Sequence, residues 1–322
     1  MATRLIVNPS AGGGRAAERA LSLKSMLEAE LGAIEWRETR SAGEVTALAA
    51  ESARRGDARV LVAGGDGTVH FAAAGLVGTG TALGILPVGT GNDIAHAAGV
   101  PDDPRAAVSL LARGHVRELD LASANGRVYA CVLGLGMDSE ALERINGARF
   151  LRRGRLLYAL AALETALVYR PERASIAWEG GRFEGEVVFA AITNTKSYAG
   201  GMKISPLAEV DDAKLDLCVI PRLGLARTLA SFHRVLDGRH VGLPGIVVEQ
   251  APSFRIESAR PLRVTLDGEL TDLTTPLDVN VLPAALRVLG APVASTSIPI
   301  VLSEGPAKPV PSRRTDDRLQ AG

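Results

Sequence analysis

The chain has 322 residues, 47% hydrophobic and 22% charged, with Lys plus Arg and Asp plus Glu balanced at 36 each. This composition supports large cores and excludes a disordered chain. The balanced charge leaves no global basic field for nucleic acid, so an anionic partner must be met locally.

At this length two domains are the expected organisation. Thr3–Val7 reads as a buried strand that leaves no room for a signal peptide ahead of it. Asn8-Pro9-Ser10-Ala11-Gly12-Gly13-Gly14 follows, and Ala16–Leu31 carries a helical apolar pattern. Residues 33–39 predict a second strand, Glu44–Arg55 a helix, and Arg59–Gly64 a third strand. Gly64-Gly65-Asp66-Gly67-Thr68 is a glycine-rich turn into a further apolar helix. Residues 82–88 predict a fourth strand, with a helix from about Asp93. Such alternation implies a parallel sheet covered by helices, with every strand-to-helix turn at one edge.

After about Leu121 the pattern becomes β-rich. Residues 127–138, 174–195, 214–220, 254–258, 262–270 and 277–282 are short β-type runs, and Glu179-Gly180-Gly181-Arg182 predicts a hairpin turn. Two helical inserts are expected, near Leu151–Tyr169 and Leu223–Leu236. The organisation expected is an α/β nucleotide-binding domain at 1–122, a β-sandwich-like domain at 123–291 and a disordered tail at 292–322, with a cleft between the domains. The apolar run Leu156–Tyr169 is too short to span a bilayer and contains Glu164. A cytoplasmic protein touching membranes peripherally is therefore expected. Cys131 and Cys218 sit in apolar strand-like runs without metal or redox spacing.

Four constellations carry candidate chemistry. Gly12, Gly14 and Ala17 fit G-x-G-x-x-A, with Glu38 where a ribose-binding acid would sit. A helix-capping turn explains them equally, and the richest glycine signal lies on the third strand instead. The GGDGT turn and Pro87-Val88-Gly89-Thr90-Gly91-Asn92-Asp93 would lie side by side, each with glycines, a threonine and a carboxylate. Their pairing favours functional Asp66 and Asp93, and without GxxxxGK[ST] this is not a P-loop. Leu266-Asp267-Gly268-Glu269 is open between a tight turn with solvated acids and a base or metal ligand facing the nucleotide edge. Asp211-Asp212 with Asp216 would suit a hard cation, although a turn before the strand at 214–220 explains these residues as well. Arg149, Arg152, Arg153 and Arg155 could meet lipid headgroups or simply solvate a helix start. His70, His96, His115, His233 and His240 lack ligand spacing.

In this order, NPSAGGG, GGDGT, PVGTGNDIA, GLGMDSEALERIN, NTKSYAGGMKISPLAEVDDAKLDL and LDGE resemble the diacylglycerol kinase catalytic-domain family, over nearly all of residues 4–291. The resemblance implies soluble lipid kinases related to sphingosine and diacylglycerol kinases, with ATP in the interdomain cleft. It places nucleotide contacts on Asn8, Pro9, Ser10, Ala11, Gly12, Thr39, Gly64, Gly65, Asp66, Gly67, Thr68, Val69, His70, Phe71 and Thr90. Glu269 falls on the general base, and Asp66 and Asp93 on acids that organise a catalytic Mg²⁺. Asp212, with carbonyls near Glu209 and Lys214, falls on a structural Mg²⁺ site. This sequence departs from the family at Val69-His70-Phe71, where Asn-Glu often follows a hydrophobic residue, at His96 for a frequent arginine, and at Ala213 for the glycine of DDG.

The function implied is Mg²⁺-dependent transfer of phosphate from ATP to a lipid hydroxyl, diacylglycerol giving phosphatidic acid. An NAD kinase shares GGDGT, but its second turn differs from GTGND. A non-catalytic lipid- or nucleotide-binding regulator is disfavoured because every acid is retained, and a dinucleotide-dependent dehydrogenase is weaker still. The particular lipid and the oligomeric state, a homodimer included, stay open.

Overall fold

The computed structural model describes residues 3–147, 165, 169–222, 234 and 237–292. Both predicted helical inserts fall largely outside these residues, as do Arg149–Arg155, His233 and the tail from Val293.

The parallel part forms as its apolar runs require. Strands β1 (Thr3–Val7), β3 (Arg59–Gly64) and β4 (Ala82–Pro87) are almost wholly buried, and β2 (Ile34–Glu38) is half-exposed at the edge. They pair in parallel in the order β2-β1-β3-β4. Helix α4 (Ala42–Arg54) packs on α5 (Asp66–Leu76), while α3 (Lys24–Leu31) packs on α7 (Pro104–Arg113). With right-handed crossovers, this order puts α4 and α5 on one face and α3 and α7 on the other. Strand order reverses between β1 and β3, so the crevice beyond their carboxyl ends is where such a sheet takes ligands.

Local chemistry explains several boundaries. Ser41 caps α4 by accepting the Glu44 N–H at 3.3 Å. Asp103 caps α7 by accepting the Ala106 N–H at 3.0 Å, Pro104 opens it, and left-handed Gly114 ends it. The helix expected over Ala16–Leu31 is two, α2 (Ala16–Ser22) and α3, meeting at Leu23. Before α2 lies a short irregular turn, α1 (Ala11–Gly14), in which Gly12 and Gly13 are left-handed.

The β-rich half follows helix α6 (Asp93–Ala97) and α7. It comprises β5 (Val116–Ala124), β6 (Arg127–Tyr129), β7 (Val132–Gly136), helix α8 (Met137–Gly147), β8 (Glu172–Trp178), β9 (Gly181–Thr193), β10 (Leu215–Pro221), β11 (Val247–Ala251), β12 (Ser253–Ser258), β13 (Arg263–Leu266), β14 (Glu269–Thr274) and β15 (Leu277–Leu289). The β8–β9 hairpin turns at Glu179–Gly180 as expected. Inward residues of this half, among them Leu133, Ile176, Ile192, Leu217, Phe254 and Val264, form a second core.

Strand β15 joins the halves. Its first part pairs with β12, and Val288 near its end pairs in parallel with Leu83 of β4. Strand β5 runs antiparallel to β15, with a register shift between Leu282 and Leu286. Around this kink Asp120 of β5 accepts the N–H of Ala284 at 2.8 Å and of Ala213 at 2.7 Å, and both alanines have left-handed φ. A buried carboxylate thus fixes two backbone conformations that alanine disfavours.

Leu286 is fully buried in β15. Leu286→Ala is expected to cost about 2–5 kcal/mol and to shift a single denaturant transition followed by both tryptophans, Trp36 and Trp178, which lie in opposite halves. Loss of stability in the β-rich half alone would show that β15 does not couple them.

Candidate active site

The site is built from turns brought together by close backbone contact. Gly65 and Gly89 touch: a Cβ on Gly65 would lie 3.1 Å from the Gly89 Cα, and one on Gly89 would overlap the Gly65 Cα. Side chains would push the two turns apart, so glycine is required at this contact. The Thr68 side chain packs directly on Gly64 at the end of β3.

Asp66 opens α5, and its carboxylate crosses to the second turn. Oδ2 accepts the Asn92 N–H at 2.9 Å and Oδ1 the Asp93 N–H at 2.5 Å. The Asn92 backbone is left-handed, and its own Oδ1 accepts the Gly89 N–H at 3.1 Å. Burial raises the Asp66 pKa to about 6, helped by the like charge of Asp93, while the two peptide N–H groups oppose the rise. Asp93 is buried, and burial also raises its pKa, against the Ser197 hydroxyl that donates to it at 2.6 Å.

The first turn completes a cavity of about 400 Å³. The Asn8 side chain donates to the Thr68 hydroxyl at 3.0 Å, and its Oδ1 accepts the Ser10 N–H at 3.1 Å. Gly12 is left-handed, and a Cβ there would overlap the Val88 carbonyl oxygen. Asn8, Ser10, Ala11, Gly12, Gly65, Gly67, Thr68, Phe71 and Thr90 line the cavity together with Glu269. Of the other expected contacts, Thr39 is buried beside β1, donating to the Val7 carbonyl at 3.2 Å, and Val69 packs in the core. Pro9 sits in the turn between two lining residues, and His70 faces Asp267.

The LDGE motif is the tight turn between β13 and β14, with Asp267 and Gly268 both left-handed and Leu266 paired to Glu269. Asp267 is not a solvated acid. Its Oδ1 accepts the Cys131 and Val132 N–H groups at 2.7 and 2.8 Å, and its Oδ2 accepts the Ala130 N–H at 2.8 Å. The His70 Nδ1 lies 2.6 Å from the same Oδ2. Burial would raise the Asp267 pKa, but these donors hold it below the usual carboxylate range. His70 is moved the other way: burial lowers it, and the Asp267 carboxylate outweighs burial and raises it. With both oxygens filled, Asp267 is an anchor rather than a metal ligand. Glu269 differs, since burial raises its pKa and Oε1 lies 3.4 Å from where a Cβ on Gly67 would stand.

The donor set bears on the two expected metal positions. Among the described residues no group of three or more His, Cys, Asp or Glu is arranged to hold an ion directly. Asp66 spends both oxygens on peptide N–H groups, so it and Asp93 suit an ion held by phosphate oxygens and water more than a protein cage. At the second position, the Asp212 carboxylate accepts the Lys214 N–H at 3.0 Å and the Gln250 amide at 2.8 Å, while Glu209 pairs with Lys196 at 3.2 Å. Asp211 pairs with Arg117 at 3.0 Å. Asp216 is buried beside Asp212, its Oδ2 makes no hydrogen bond of good geometry among the described residues, and burial lifts its pKa to about 6 against the nearby Gln250 amide. A buried carboxylate oxygen left over beside a second carboxylate fits a hard cation.

A model of the diacylglycerol kinase catalytic domain matches residues 2–124. A model of the YegS C-terminal NAD kinase beta sandwich-like domain matches residues 131–290. The diacylglycerol kinase of Bacillus subtilis strain 168 is 30% identical over 234 residues, covering 72% of this chain and 77% of that protein. The chain belongs to the diacylglycerol kinase catalytic-domain family. The diacylglycerol kinase of Mycobacterium tuberculosis H37Rv is 32% identical, covering 75% of this chain and 80% of its own. A Pseudomonas aeruginosa protein named "Probable lipid kinase YegS-like" is 32% identical over 76% and 81%. The crystal structure of a diacylglycerol kinase from Bacillus anthracis superposes with a TM-score of 0.70 at 25% identity, covering 90% and 97%. In this family the chain is a lipid kinase with ATP as phosphoryl donor.

Two residues of the site's frame carry roles that the sequence does not reveal. His70 stood among scattered histidines or as a nucleotide contact, and Asp120 carried no motif. Neither partner set is local, since Asp267 is 197 positions from His70 and Ala284 is 164 from Asp120.

The raised Asp66 pKa has a stability consequence with a defined sign. An unfolded chain releases this proton near 3.8, the folded chain near about 6. Over that interval the folded state binds more protons, so the stability contributed by Asp66 falls as pH rises through it. In Mg²⁺-free buffer, wild-type Tm should therefore fall relative to Asp66→Asn from pH 3.8 to about 6. Parallel Tm–pH curves would contradict the assignment.

Proposed function

We propose that this chain phosphorylates diacylglycerol to phosphatidic acid with ATP, assisted by Mg²⁺, at the surface of a membrane. The observation that carries this reading is Glu269, an exposed residue whose carboxylate lines the glycine-turn cavity, where partial loss of water raises its pKa. A base whose pKa is lifted above the ordinary carboxylate value accepts a hydroxyl proton more readily. The glycine turns at Gly65–Gly67 and at Gly12 line the cavity without side chains, so their backbone can approach phosphate oxygens closely, and Thr90 lines the same wall.

In this scheme Glu269 takes the proton of the lipid hydroxyl as that oxygen bonds to the γ-phosphorus. The bond from the γ-phosphorus to the β–γ bridging oxygen breaks, and ADP leaves. Mg²⁺ would be held by phosphate oxygens and by water on Asp66 and Asp93, and supplies neutralisation of phosphate charge. A second cation at Asp212 and Asp216, with carbonyls near Glu209 and Lys214, would stabilise the turn before β10. No helix among the described residues is long and apolar enough to cross a membrane; the proposed contact with the lipid is peripheral, at the cytoplasmic face.

The test is transfer of ³²P from labelled ATP, with diacylglycerol and NAD as alternative acceptors. Labelled phosphatidic acid is expected, and Glu269→Ala should lower its rate by about 10²–10⁴-fold with an unchanged circular dichroism spectrum. Labelled NADP in place of phosphatidic acid, or full activity in Glu269→Ala, would overturn the reading.

A further inference from the structure

We infer that His70 is a positioning residue for the base: through Asp267 it fastens the helix of the GGDGT turn to the turn that carries Glu269. The inference rests on the kinase reading above for its catalytic consequence, but its structural content stands apart from activity.

The geometry is that of a latch across two parts of the chain. His70 Nδ1 lies 2.6 Å from Asp267 Oδ2, with the two side chains only 10% and 1% exposed. The Phe71 ring stands edge-on to the imidazole at a centroid distance of 4.8 Å, which restrains its rotation. Of the donors that fill the Asp267 carboxylate, three are peptide N–H groups at Ala130, Cys131 and Val132, all leading into β7. Among the described residues, His70 is the only side chain from the nucleotide half that reaches this carboxylate. Without it, the turn is anchored to the β-rich half alone.

Helical spacing makes the latch specific to the site. In α5, His70 stands four residues after Asp66 and three after Gly67, so the three share one face. Asp66 reaches from that face to Asn92 and Asp93, and Glu269 Oε1 lies 3.4 Å from where a Cβ on Gly67 would stand. One helical face thus fixes the second phosphate-facing turn, lies beside the base and holds the base's own anchor. Glu269 follows Asp267 by two residues in a tight turn whose conformation is set by left-handed Asp267 and Gly268. Displacing Asp267 therefore displaces Glu269. A buried histidine that merely satisfied its own polarity could point to any acceptor; this one selects the acid whose turn holds the base.

The test compares His70→Ala with His70→Asn, whose amide nitrogen can replace Nδ1 as donor to Asp267. In His70→Ala, kcat should fall by about 10²-fold, the order expected for a misplacement near 1 Å, with KM for ATP unchanged. His70→Asn should recover most of that loss. Hydrogen exchange followed by mass spectrometry should quicken several-fold over residues 267–270 in His70→Ala, and stay unchanged over the β8–β9 hairpin. Unchanged kcat in His70→Ala, or a loss that Asn does not recover while melting temperature falls in both variants, would make His70 a structural residue only. Should wild-type protein phosphorylate no lipid, the functional reading fails, and the exchange measurement still decides the latch: unaltered exchange at 267–270 overturns it.

Discussion

Both oxygens of the Asp66 carboxylate are held by peptide N–H groups of the neighbouring turn, and the arrangement of the site depends on that strut. A carboxylate at the start of a helix is favoured by the helix's own dipole, yet this one is directed across to Asn92 and Asp93. It can reach them because Gly65 and Gly89 let the two turns meet backbone to backbone, and because Gly91 leaves room beside Asp66 Oδ2. The burial that follows raises the pKa of Asp66 and of Asp93 next to it. The negative charge of the GGDGT turn is therefore chiefly a structural device, and it accumulates beside a cavity suited to phosphates. A cation accompanying those phosphates would lower the repulsion the fold has built in.

Asp267 repeats the device on the other side. A buried acid again spends its oxygens on backbone N–H groups, here those leading into β7, and among the described residues a single side chain, His70, ties it to the nucleotide half. Glu269 is left with fewer donors and a raised pKa. Two acids of one turn thus differ in role because their surroundings push their protonation in opposite directions. The long strand β15 links the two halves, pairing with β4 of the parallel sheet and with β5 and β12 of the β-rich half.

The parallel sheet was legible because its strands are continuous apolar runs bounded by glycine turns: Arg59–Gly64 is predicted and observed with the same ends. The convergence of Asn8–Gly12, the GGDGT turn and Thr90 followed from placing every strand-to-helix turn at one sheet edge. Glu269 joined them only through the family resemblance, its own motif being open between a solvated turn and a functional acid. Other features had no local signal. The break at Leu23 interrupts an unbroken helical pattern, and β15 crosses the expected domain boundary by a pairing that depends on its whole length. Helix α7 did carry its marks, Asp103-Pro104 before and Gly114 after, in a stretch where no helix is predicted. The contacts of His70 and Asp120 are long-range hydrogen bonds of buried polar groups, which periodicity and spacing do not encode. Left-handed Ala213 and Ala284 are likewise set by Asp120, because alanine itself gives no indication of positive φ.

The central claim is that nucleotide and base meet at the wall shared by the α5 turn and the β13–β14 turn. A crystal structure of the Glu269→Gln protein with a non-hydrolysable ATP analogue tests it most directly. The account predicts the triphosphate against Ser10–Gly12, Gly65–Thr68 and Thr90, with its γ-phosphate facing residue 269. A nucleotide bound away from these turns, or one whose γ-phosphate points away from residue 269, would contradict it.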